Sequence, residues 1–396
     1  MPLPSSSRPV LTEDWQNAGF GLYIHWPFCQ SKCPYCDFNS HVADQIDQGR
    51  WGRAYLAEID RVGALTAGRA LNTVYFGGGT PSLMSPELVA ALLEKIRSTW
   101  SLANDVEITL EANPSSVEAA RFHGYRDAGV NRVSLGIQAL NDEDLRRLGR
   151  LHSVNEAQTA FDTARSVFDR VSFDLIYARQ GQTPESWAAE LKQALAMAAD
   201  HLSLYQLTIE AGTAFADRYA RGRLPDLPPE DIAADMYLVT QELCDAARLS
   251  AYEVSNHAQK GSESRHNLIY WRYGDYAGIG PGAHGRVTIS GQKHATETFL
   301  QPGRWLEAVE SQGCGESGVS IVTRAEQAEE YLMMGLRLHE GISLSRYEIL
   351  GGKPLDITKI NDLVDNGLVV SESGRLIATP QGRLLLNGVL RELLAE

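Results

Sequence analysis

The chain has 396 residues, 43% of them hydrophobic, and a formal net charge of −14 at pH 7. This globular composition excludes wholesale disorder, and the acidic balance makes the chain a poor generic binder of nucleic acid, since phosphate contacts need a basic face. No apolar run approaches the roughly 18 residues of a spanning helix, and the N-terminal segment lacks the apolar core of a secretory signal. We therefore expect a cytoplasmic protein whose thiols stay reduced.

The first two thirds of the chain alternate apolar strands with amphipathic helices. Six strands are predicted at 22–26, 73–76, 107–112, 132–138, 171–177 and 201–207. Helices are predicted between them, among others at 86–100, 116–129 and 184–200. Continuous apolar strands separated by amphipathic helices are typical of a parallel sheet covered by helices. Six such units predict an α/β fold with an open, partial (β/α)6 barrel.

The rest of the chain changes character twice. Residues 208–320 are irregular and rich in Gly, Tyr and His, and residues 321–396 predict helix, helix, short hairpin and helix. The second pattern resembles a winged-helix module, for which the acidic charge favours a structural or docking role over DNA binding. The predicted organisation is an N-terminal extension, a barrel, a connecting α+β region and a winged-helix-like domain, at 1–20, 21–207, 208–320 and 321–396.

Three of the five cysteines share a CxxxCxxC spacing: Cys29, Cys33 and Cys36. The odd total argues against a disulfide framework. A [4Fe–4S] cluster normally takes four thiolates, so three leave one iron open to an exogenous ligand. We predict such a cluster; zinc, with His41 as the nearest further ligand, and a structural triplet of buried thiols are the alternatives. Cys244 and Cys314 each stand alone and are expected to serve packing or to lie at the surface.

This loop at the end of a first strand resembles the radical SAM superfamily. The preceding GLYIHWPFC and the GGGTP after the second strand (residues 77–81) resemble its HemN/HemW group. The resemblance extends over nearly the whole chain from Gly21 onward. It implies that S-adenosylmethionine (SAM) chelates the open iron through its amino and carboxylate groups.

Polar residues stand at consecutive strand ends, where reactive groups collect in parallel barrels. The glycines at 77–79 let a ligand approach the backbone, and Glu111 and Asp174 can accept hydrogen bonds from ribose hydroxyls or an ammonium group. Arg150 can pair a carboxylate bidentately. The alternatives are a tight strand–helix turn and a satisfied polar network capping the barrel. The resemblance implies SAM contacts at eight positions: Tyr23, Gly78, Gly79, Thr80, Glu111, Gln138, Arg150 and Asp174.

One segment departs from the family pattern. After the fifth strand the family usually reads GLPGQT, whereas this chain reads Ala178-Arg179-Gln180-Gly181-Gln182-Thr183. The loss of Gly and Pro changes the turn chemistry. We expect the added cation, Arg179, to lie near the mouth of the cofactor site.

Two features separate the branches of the group. The oxygen-independent coproporphyrinogen III oxidases that resemble HemN read CxxxCxxCxC and have a longer segment before the cluster. Here Phe38 stands at the last position, and only 28 residues precede Cys29. Both features favour the HemW branch, whose members resemble the oxidases but act as heme chaperones.

Residues 266–271 match HNxxYW, a motif that the HemW branch associates with heme binding, through His266, Asn267, Tyr270 and Trp271. A neutral imidazole can ligate heme iron, and the two aromatic residues offer flat apolar surface to a porphyrin. The alternative is a buried network of the same side chains. The same region contains two rival ligands, His257 and His284. Two other histidines are expected at the barrel mouth or in packing, His25 and His152.

The sequence thus favours a cytoplasmic heme chaperone with a [4Fe–4S] cluster and SAM in a radical SAM site. It would deliver heme to acceptor heme proteins, with respiratory enzymes at the membrane, and hence a peripheral membrane contact, as candidates. The alternatives are a radical SAM coproporphyrinogen III oxidase and a non-catalytic regulatory protein with a vestigial cluster site. Oxidase activity is expected to be absent; SAM cleavage and oligomeric state stay open.

Overall fold

The computed structural model describes residues 13–197 and 199–395, so most of the predicted extension at 1–20, and the expected lack of a signal sequence, lie outside the described residues. The strands are β1 (Phe20–Trp26), β2 (Phe28–Cys29), β3 (His41–Val42), β4 (Ala70–Gly78), β5 (Ser101–Ala112), β6 (Arg132–Gln138), β7 (Arg170–Tyr177), β8 (His201–Gln206), β9 (Ser250–Ala251), β10 (Asn256–Ala258), β11 (Asp275–Ile279), β12 (His284–Ile289), β13 (Gln292–Thr298), β14 (Glu316–Ile321), β15 (Ile342–Ser343), β16 (Val369–Glu372) and β17 (Arg375–Ala378).

The helices alternate with the first strands and then dominate the C-terminal part. They are α1 (Gln48–Leu65), α2 (Pro86–Thr99), α3 (Ser116–Ala119), α4 (Phe122–Ala128), α5 (Asp142–Arg147), α6 (Val154–Val167), α7 (Pro184–Ala196), α8 (Ala214–Ala220), α9 (Glu230–Ala246), α10 (Arg265–Trp271), α11 (Pro302–Gln312), α12 (Arg324–Gly335), α13 (Leu344–Gly351), α14 (Ile357–Asp365), α15 (Pro380–Leu384) and α16 (Leu386–Leu394). None of these helices combines the length and the hydropathy that crossing a membrane requires.

Within the described residues, twelve strands form one sheet in the order β14-β13-β12-β11-β1-β4-β5-β6-β7-β8-β10-β9. The six strands from β1 to β8 in this order are mutually parallel and correspond to the six predicted strands. The predicted α/β class, with six parallel strands and helices between them, is confirmed. All six strands end at the same edge of the sheet, which brings their C-terminal residues together.

Burial explains why these strands read as continuous apolar runs. Leu22, Val74 and Leu135 in three of the parallel strands are inaccessible to solvent, and helix residues such as Leu92 and Phe161 pack against the same core. A parallel sheet with both faces covered has no solvent face on which alternation could appear. The polar first half of β5 is exposed, which is why the predicted strand began only at residue 107.

The segment predicted as irregular extends the sheet at both edges. β11 pairs in parallel with β1, and β12, β13 and β14 continue from it in antiparallel order. At the other edge β10 pairs with β8 and β9. The two-residue turn Ser290-Gly291 between β12 and β13 has positive φ at both positions (52° and 79°), as a type I′ hairpin requires.

The C-terminal part has its own apolar cluster, which includes Leu332, Leu336, Ile342, Leu376 and Val389. Its three-stranded sheet has the order β15-β17-β16 and is flanked by helices. This agrees with the predicted winged-helix-like module, to which the structure adds α13. The domain bounds at 20, 207 and 320 stay predictions.

Candidate functional site

The cysteine triplet lies on the loop that leaves the carboxyl end of β1. The backbone N–H of Cys36 donates to the carbonyl of Cys33 at 3.2 Å, which closes a tight turn between them. All three thiols are partly exposed and line a cavity of about 480 Å³, called here the cysteine cavity, at the carboxyl edge of the parallel strands. Cys29, the first cysteine of the triplet, is the last residue of β2, which pairs in parallel with β3.

Two polar side chains approach the sulfur atoms. Thr80 Oγ1 lies 3.4 Å from Cys29 Sγ, and Arg150 Nη1 lies 3.5 Å from Cys33 Sγ. Donors at these distances favour a thiolate over a thiol. Burial nevertheless raises the pKa of Cys29 and of Cys36, so a bound metal cation is what would hold both as thiolates near neutral pH.

The geometry favours a cluster over the zinc alternative. Across 13–197 and 199–395, no three His, Cys, Asp or Glu side chains converge closely enough to share one metal ion. A [4Fe–4S] cluster instead takes one thiolate per iron, which spaces the sulfurs apart. His41, the nearest further zinc ligand in the sequence, directs Nε2 to Asn39 Oδ1 at 3.1 Å.

The glycine turn after β4 forms one wall of the cysteine cavity. Gly78 has φ of +112°, a conformation that favours glycine, and a Cβ at Gly79 would lie 2.8 Å from the carbonyl oxygen of Phe28. Thr80 N–H donates to the same carbonyl at 2.8 Å, which ties the turn to the cysteine loop. The glycines therefore serve a tight turn and also line the cavity.

Two half-buried carboxyl groups, Glu111 and Asp174, lie at strand ends in the same cavity. Glu111 accepts hydrogen bonds from Tyr75 Oη at 2.7 Å and from the Gly78 N–H at 3.3 Å. Burial raises the pKa of Glu111 to about 7 and that of Asp174 to about 6. Ser134 Oγ donates to Asp174 at 3.4 Å. Both groups can therefore ionise near neutral pH and accept hydrogen bonds from a cationic or hydroxylated ligand.

Arg150 and Gln138 complete the polar wall. Arg150 Nη2 donates to Asn113 Oδ1 at 2.6 Å and to the Gly136 carbonyl at 2.8 Å, while its buried Nε has no partner. Gln138 has φ of 73° at a register shift between β6 and β7, and it lines the cavity. Apart from the contact with Cys33 Sγ, its partners are neutral oxygens, so the guanidinium retains the capacity to pair a ligand carboxylate.

The sequence analysis did not select Asn113 as a site residue. Its side chain joins the polar wall to the glycine turn, because Nδ2 donates to Thr80 Oγ1 at 3.2 Å and Oδ1 accepts from Arg150. The available signal was its place directly after β5, before a proline. Tyr205, at the end of β8, also lines the cavity and was missed.

Tyr23 lies away from the cysteine cavity. Its hydroxyl lies 3.0 Å from His25 Nδ1, and its ring lies beside the stacked rings of Tyr75 and His266, with centroid distances of 6.2 and 6.3 Å. It lines two neighbouring cavities that share Glu111 with the first. Its predicted contact with SAM stays a prediction.

The expectation for Arg179 was wrong. Its side chain is buried, forms an ion pair with Asp144 at 3.0 Å and another with Glu190, and does not line the cysteine cavity. A buried guanidinium needs a charged partner, so the Arg179 side chain packs against these carboxylates and not at the mouth of the cysteine cavity. The changed turn chemistry is visible at Ala178, which has φ of 57° where the family pattern has glycine.

Two further cavities adjoin the first. The inner cavity, of about 400 Å³, lies inside the barrel and is lined largely by polar side chains, among them Glu111, Arg132, Asp174, His201 and His266. The outer cavity, of about 600 Å³, lies between the barrel and the C-terminal module. Aromatic and apolar side chains line much of it: Tyr23, Phe38, Tyr270, Trp271, Tyr276, Leu300 and Met334.

The HNxxYW motif forms helix α10 between these two cavities. His266 is buried, with Nδ1 2.7 Å from Thr73 Oγ1 and Nε2 2.6 Å from Tyr270 Oη, so both ring nitrogens are engaged. Burial lowers the pKa of His266 to about 3, which keeps the ring neutral. Asn267 lines the inner cavity, and Tyr270 and Trp271 line both.

The other histidines weighed from the sequence occupy different environments. His257 is buried in β10, where Gln241 Nε2 lies 3.2 Å from its Nε2. His25 bonds through both nitrogens, to Tyr23 and to the Asn39 carbonyl, and His152 Nε2 lies 3.1 Å from the Ile137 carbonyl. These two are packing histidines that line a cavity wall. His284 is exposed at the start of β12.

Comparison with known proteins gives a family for the whole chain. The model of the radical SAM superfamily matches residues 23–194, and that of the HemN C-terminal domain matches 322–385. The heme chaperone HemW of Escherichia coli (strain K12) is 38% identical, over 95% of this chain and 98% of that protein. The chain belongs to the HemW group of the radical SAM superfamily.

Two further comparisons extend this result. The mitochondrial radical S-adenosyl methionine domain-containing protein 1 of Mus musculus is 37% identical over 95% of this chain and 87% of that protein. The structure of Escherichia coli coproporphyrinogen III oxidase (HemN) superposes with a TM-score of 0.80 at 24% identity, covering 95% of this chain and 90% of that chain. The second likeness shows that the fold is shared.

Membership of this family implies a [4Fe–4S] cluster and SAM. The donor set of the cysteine cavity fits both groups: three thiols for three irons, a glycine wall, two half-buried carboxyl groups, and a guanidinium with an unpartnered nitrogen. The predicted contact residues other than Tyr23 therefore lie together around one cavity. Their individual contacts with SAM stay predictions.

Proposed function

We propose that this protein is a cytoplasmic heme chaperone that binds heme and passes it to acceptor heme proteins. The observation that carries the proposal is the full-length similarity to proteins named heme chaperone HemW, including that of Bacillus subtilis (strain 168), 34% identical over 94% of this chain and 99% of that protein. Similarity over both lengths covers the barrel, the connecting region and the C-terminal module alike.

The outer cavity supports the same proposal on physical grounds. Its volume of about 600 Å³ lies within the usual range of ligand pockets. Tyr270 and Trp271 of the HNxxYW motif supply flat apolar surface in its wall, and His266 fixes Tyr270 through the hydrogen bond to its hydroxyl. In this proposal His266 and Asn267 position the wall that contacts the porphyrin.

The cysteine cavity is proposed to hold the cluster on Cys29, Cys33 and Cys36, with SAM against the glycine wall. There Glu111 and Asp174 would accept hydrogen bonds from the ammonium or ribose groups, and Arg150 would pair the carboxylate. Gln138, Gly78, Gly79 and Thr80 would line the remaining contact surface. When bound and reduced, this pair of groups supplies one-electron radical chemistry; whether it turns over in this protein is part of the test below.

Oxidase activity on coproporphyrinogen III is proposed to be absent. Phe38 occupies the position at which the oxidases resembling HemN have a further cysteine, and its side chain is 58% exposed. It lines both the cysteine cavity and the outer cavity. An exposed aromatic ring at this junction offers apolar contact to a flat ligand and no thiol chemistry.

The acceptors are proposed to include respiratory enzymes at the membrane, reached by peripheral contact. Transfer of this kind needs a heme edge that remains accessible in the loaded chaperone. Exposed apolar side chains at the outer cavity, Phe38 and Leu300, support such an edge, since Leu300 is 62% exposed.

One sample can test this proposal against the oxidase. The protein is reconstituted anaerobically with iron and sulfide, and is then given heme in one aliquot and coproporphyrinogen III, SAM and reductant in another. The proposal expects saturable heme binding and no protoporphyrinogen IX. Formation of protoporphyrinogen IX with consumption of SAM would establish the oxidase instead, and the absence of heme binding would refute the chaperone.

A further inference from the structure

Heme iron needs a ligand atom with a free lone pair that faces a space large enough for a macrocycle. Five histidines line the three cavities: His25, His152, His201, His266 and His284. Four of them bond to a neighbour through at least one ring nitrogen. In the described ranges, His284 is the cavity-lining histidine whose two ring nitrogens have no hydrogen-bond partner.

His284 stands at the wall of the outer cavity, and its side chain is 58% exposed. His201 also has a free nitrogen, Nδ1, but that atom is fully buried in the polar inner cavity. His266 would have to break its bonds to Thr73 and Tyr270 before it could bind iron. The imidazole of His284 is exposed and has no hydrogen bond to break, so only water has to leave before it binds iron.

A carboxylate lies next to the imidazole ring of His284. Glu297 is its register partner on β13, and Glu297 Oε1 lies 4.0 Å from His284 Nδ1. Histidines that ligate metals commonly direct the second ring nitrogen to a carboxylate, which orients the ring and makes it a stronger donor. The separation of 4.0 Å exceeds hydrogen-bond distance, so in the proposed heme complex the exposed Glu297 side chain moves closer to accept from Nδ1–H, and the lone pair of Nε2 is left for an iron atom.

The walls of the outer cavity suit the faces of a porphyrin. Tyr270 and Tyr276 meet edge to face with centroids 4.4 Å apart, and Trp271 lines the same wall. Arg286 and Glu330 in the wall form an ion pair at 2.8 Å, and Asp37 and Glu111 also line the cavity. The cavity therefore offers aromatic contact to the macrocycle beside a charge-paired edge.

We propose that heme binds in the outer cavity with Nε2 of His284 as an axial ligand and Glu297 as its positioning residue. This inference rests on the proposed heme-binding function, and it assigns the ligand to a residue outside HNxxYW. It also accounts for transfer, because a ligand at the solvent edge can be exchanged for an acceptor's ligand without opening the barrel.

Titration of the full-length, cluster-reconstituted protein with ferric hemin tests the assignment. In His284→Ala we expect the Soret maximum to shift and the Kd to rise at least tenfold, and added imidazole should restore the wild-type spectrum. His294→Ala is the matched control: His294 is a partly exposed histidine on the neighbouring strand β13, lines none of the three cavities and should leave the titration unchanged. Cluster absorbance in each variant reports folding.

Glu297→Gln tests whether the carboxylate acts on the imidazole, because a purely structural role of Glu297 would leave the reduction potential of bound heme unchanged. Loss of the carboxylate makes the imidazole a weaker donor, so the reduction potential of bound heme should rise while heme stays bound. A wild-type spectrum and affinity in His284→Ala, with loss of binding in His266→Ala, would overturn the assignment and leave the chaperone proposal intact. Failure of the wild-type protein to bind hemin would refute both.

Discussion

Glu111→Gln should weaken SAM binding and remove its dependence on pH. The wild-type carboxylate accepts two hydrogen bonds, from Tyr75 and from the Gly78 N–H, and lines the cysteine cavity. A glutamine can retain one of these bonds but offers no ionised acceptor to the amine N–H groups or ribose hydroxyls of SAM. Loss of a hydrogen bond to a charged partner costs about 1.5–3 kcal/mol, which corresponds to a roughly tenfold to hundredfold weaker affinity.

The pH dependence follows from the raised pKa of Glu111. Because that pKa is about 7, the ionised fraction rises from about 0.09 to about 0.76 between about pH 6 and about pH 7.5. Affinity of the wild-type protein for SAM should therefore increase about eightfold over this range, since the ionised carboxylate is the form that accepts hydrogen bonds from the N–H groups of the ligand's amine and from its ribose hydroxyls.

Calorimetric titration of reconstituted protein at several pH values measures both effects. Glu210→Gln is the matched control, because Glu210 is an exposed carboxylate at the mouth of the same cavity. Equal affinity of wild-type protein and Glu111→Gln, together with a flat pH profile of the wild type, would refute the assignment of Glu111 to SAM.

The remaining predictions concern the cluster, the guanidinium and the glycine turn. Replacing any one cysteine of the triplet by alanine should abolish the brown chromophore and the reduced-cluster EPR signal, whereas Cys244→Ala should keep both. Arg150→Ala should weaken SAM binding roughly tenfold to hundredfold in calorimetry with the cluster retained, and the exposed Arg147→Ala should not. Gly79→Ala forces a Cβ against the Phe28 carbonyl and should cost about 1–3 kcal/mol in urea unfolding, while Gly303→Ala, with open space around it, should stay within about 0.5 kcal/mol.

The parallel strands and the triplet were predictable because their signals are local. A strand such as β6 is a short, largely apolar segment that begins and ends with a polar residue, and it was predicted at its observed bounds. The strand-end rule then brought Glu111, Asp174 and Arg150 to one cavity from separate parts of the sequence. Chemistry concentrated at strand ends is thus readable before the structure is known.

Features that depend on long-range pairing were not predictable. The sheet grows at its edges through pairs that are distant in sequence, β11 with β1 and β10 with β8, and no local pattern marked these pairs. The direction of Arg179 depends on ion pairs with Asp144 and Glu190, which lie on two different helices, 35 and 11 residues away in sequence. The engagement of both nitrogens of His266 likewise depends on Thr73, 193 residues earlier. The sequence pattern indicates which residues could bind a ligand. The tertiary contacts decide which of them keep a donor or acceptor atom available for it.

Heme transfer tests the central claim most directly. The protein loaded with heme is mixed with heme-depleted respiratory membranes or with apomyoglobin, which captures spontaneously released heme, and transfer is followed by the change in the Soret band. The account predicts that transfer to the membranes rises with their concentration and exceeds the rate to apomyoglobin. A rate that is independent of membrane concentration and equal to spontaneous release would contradict it.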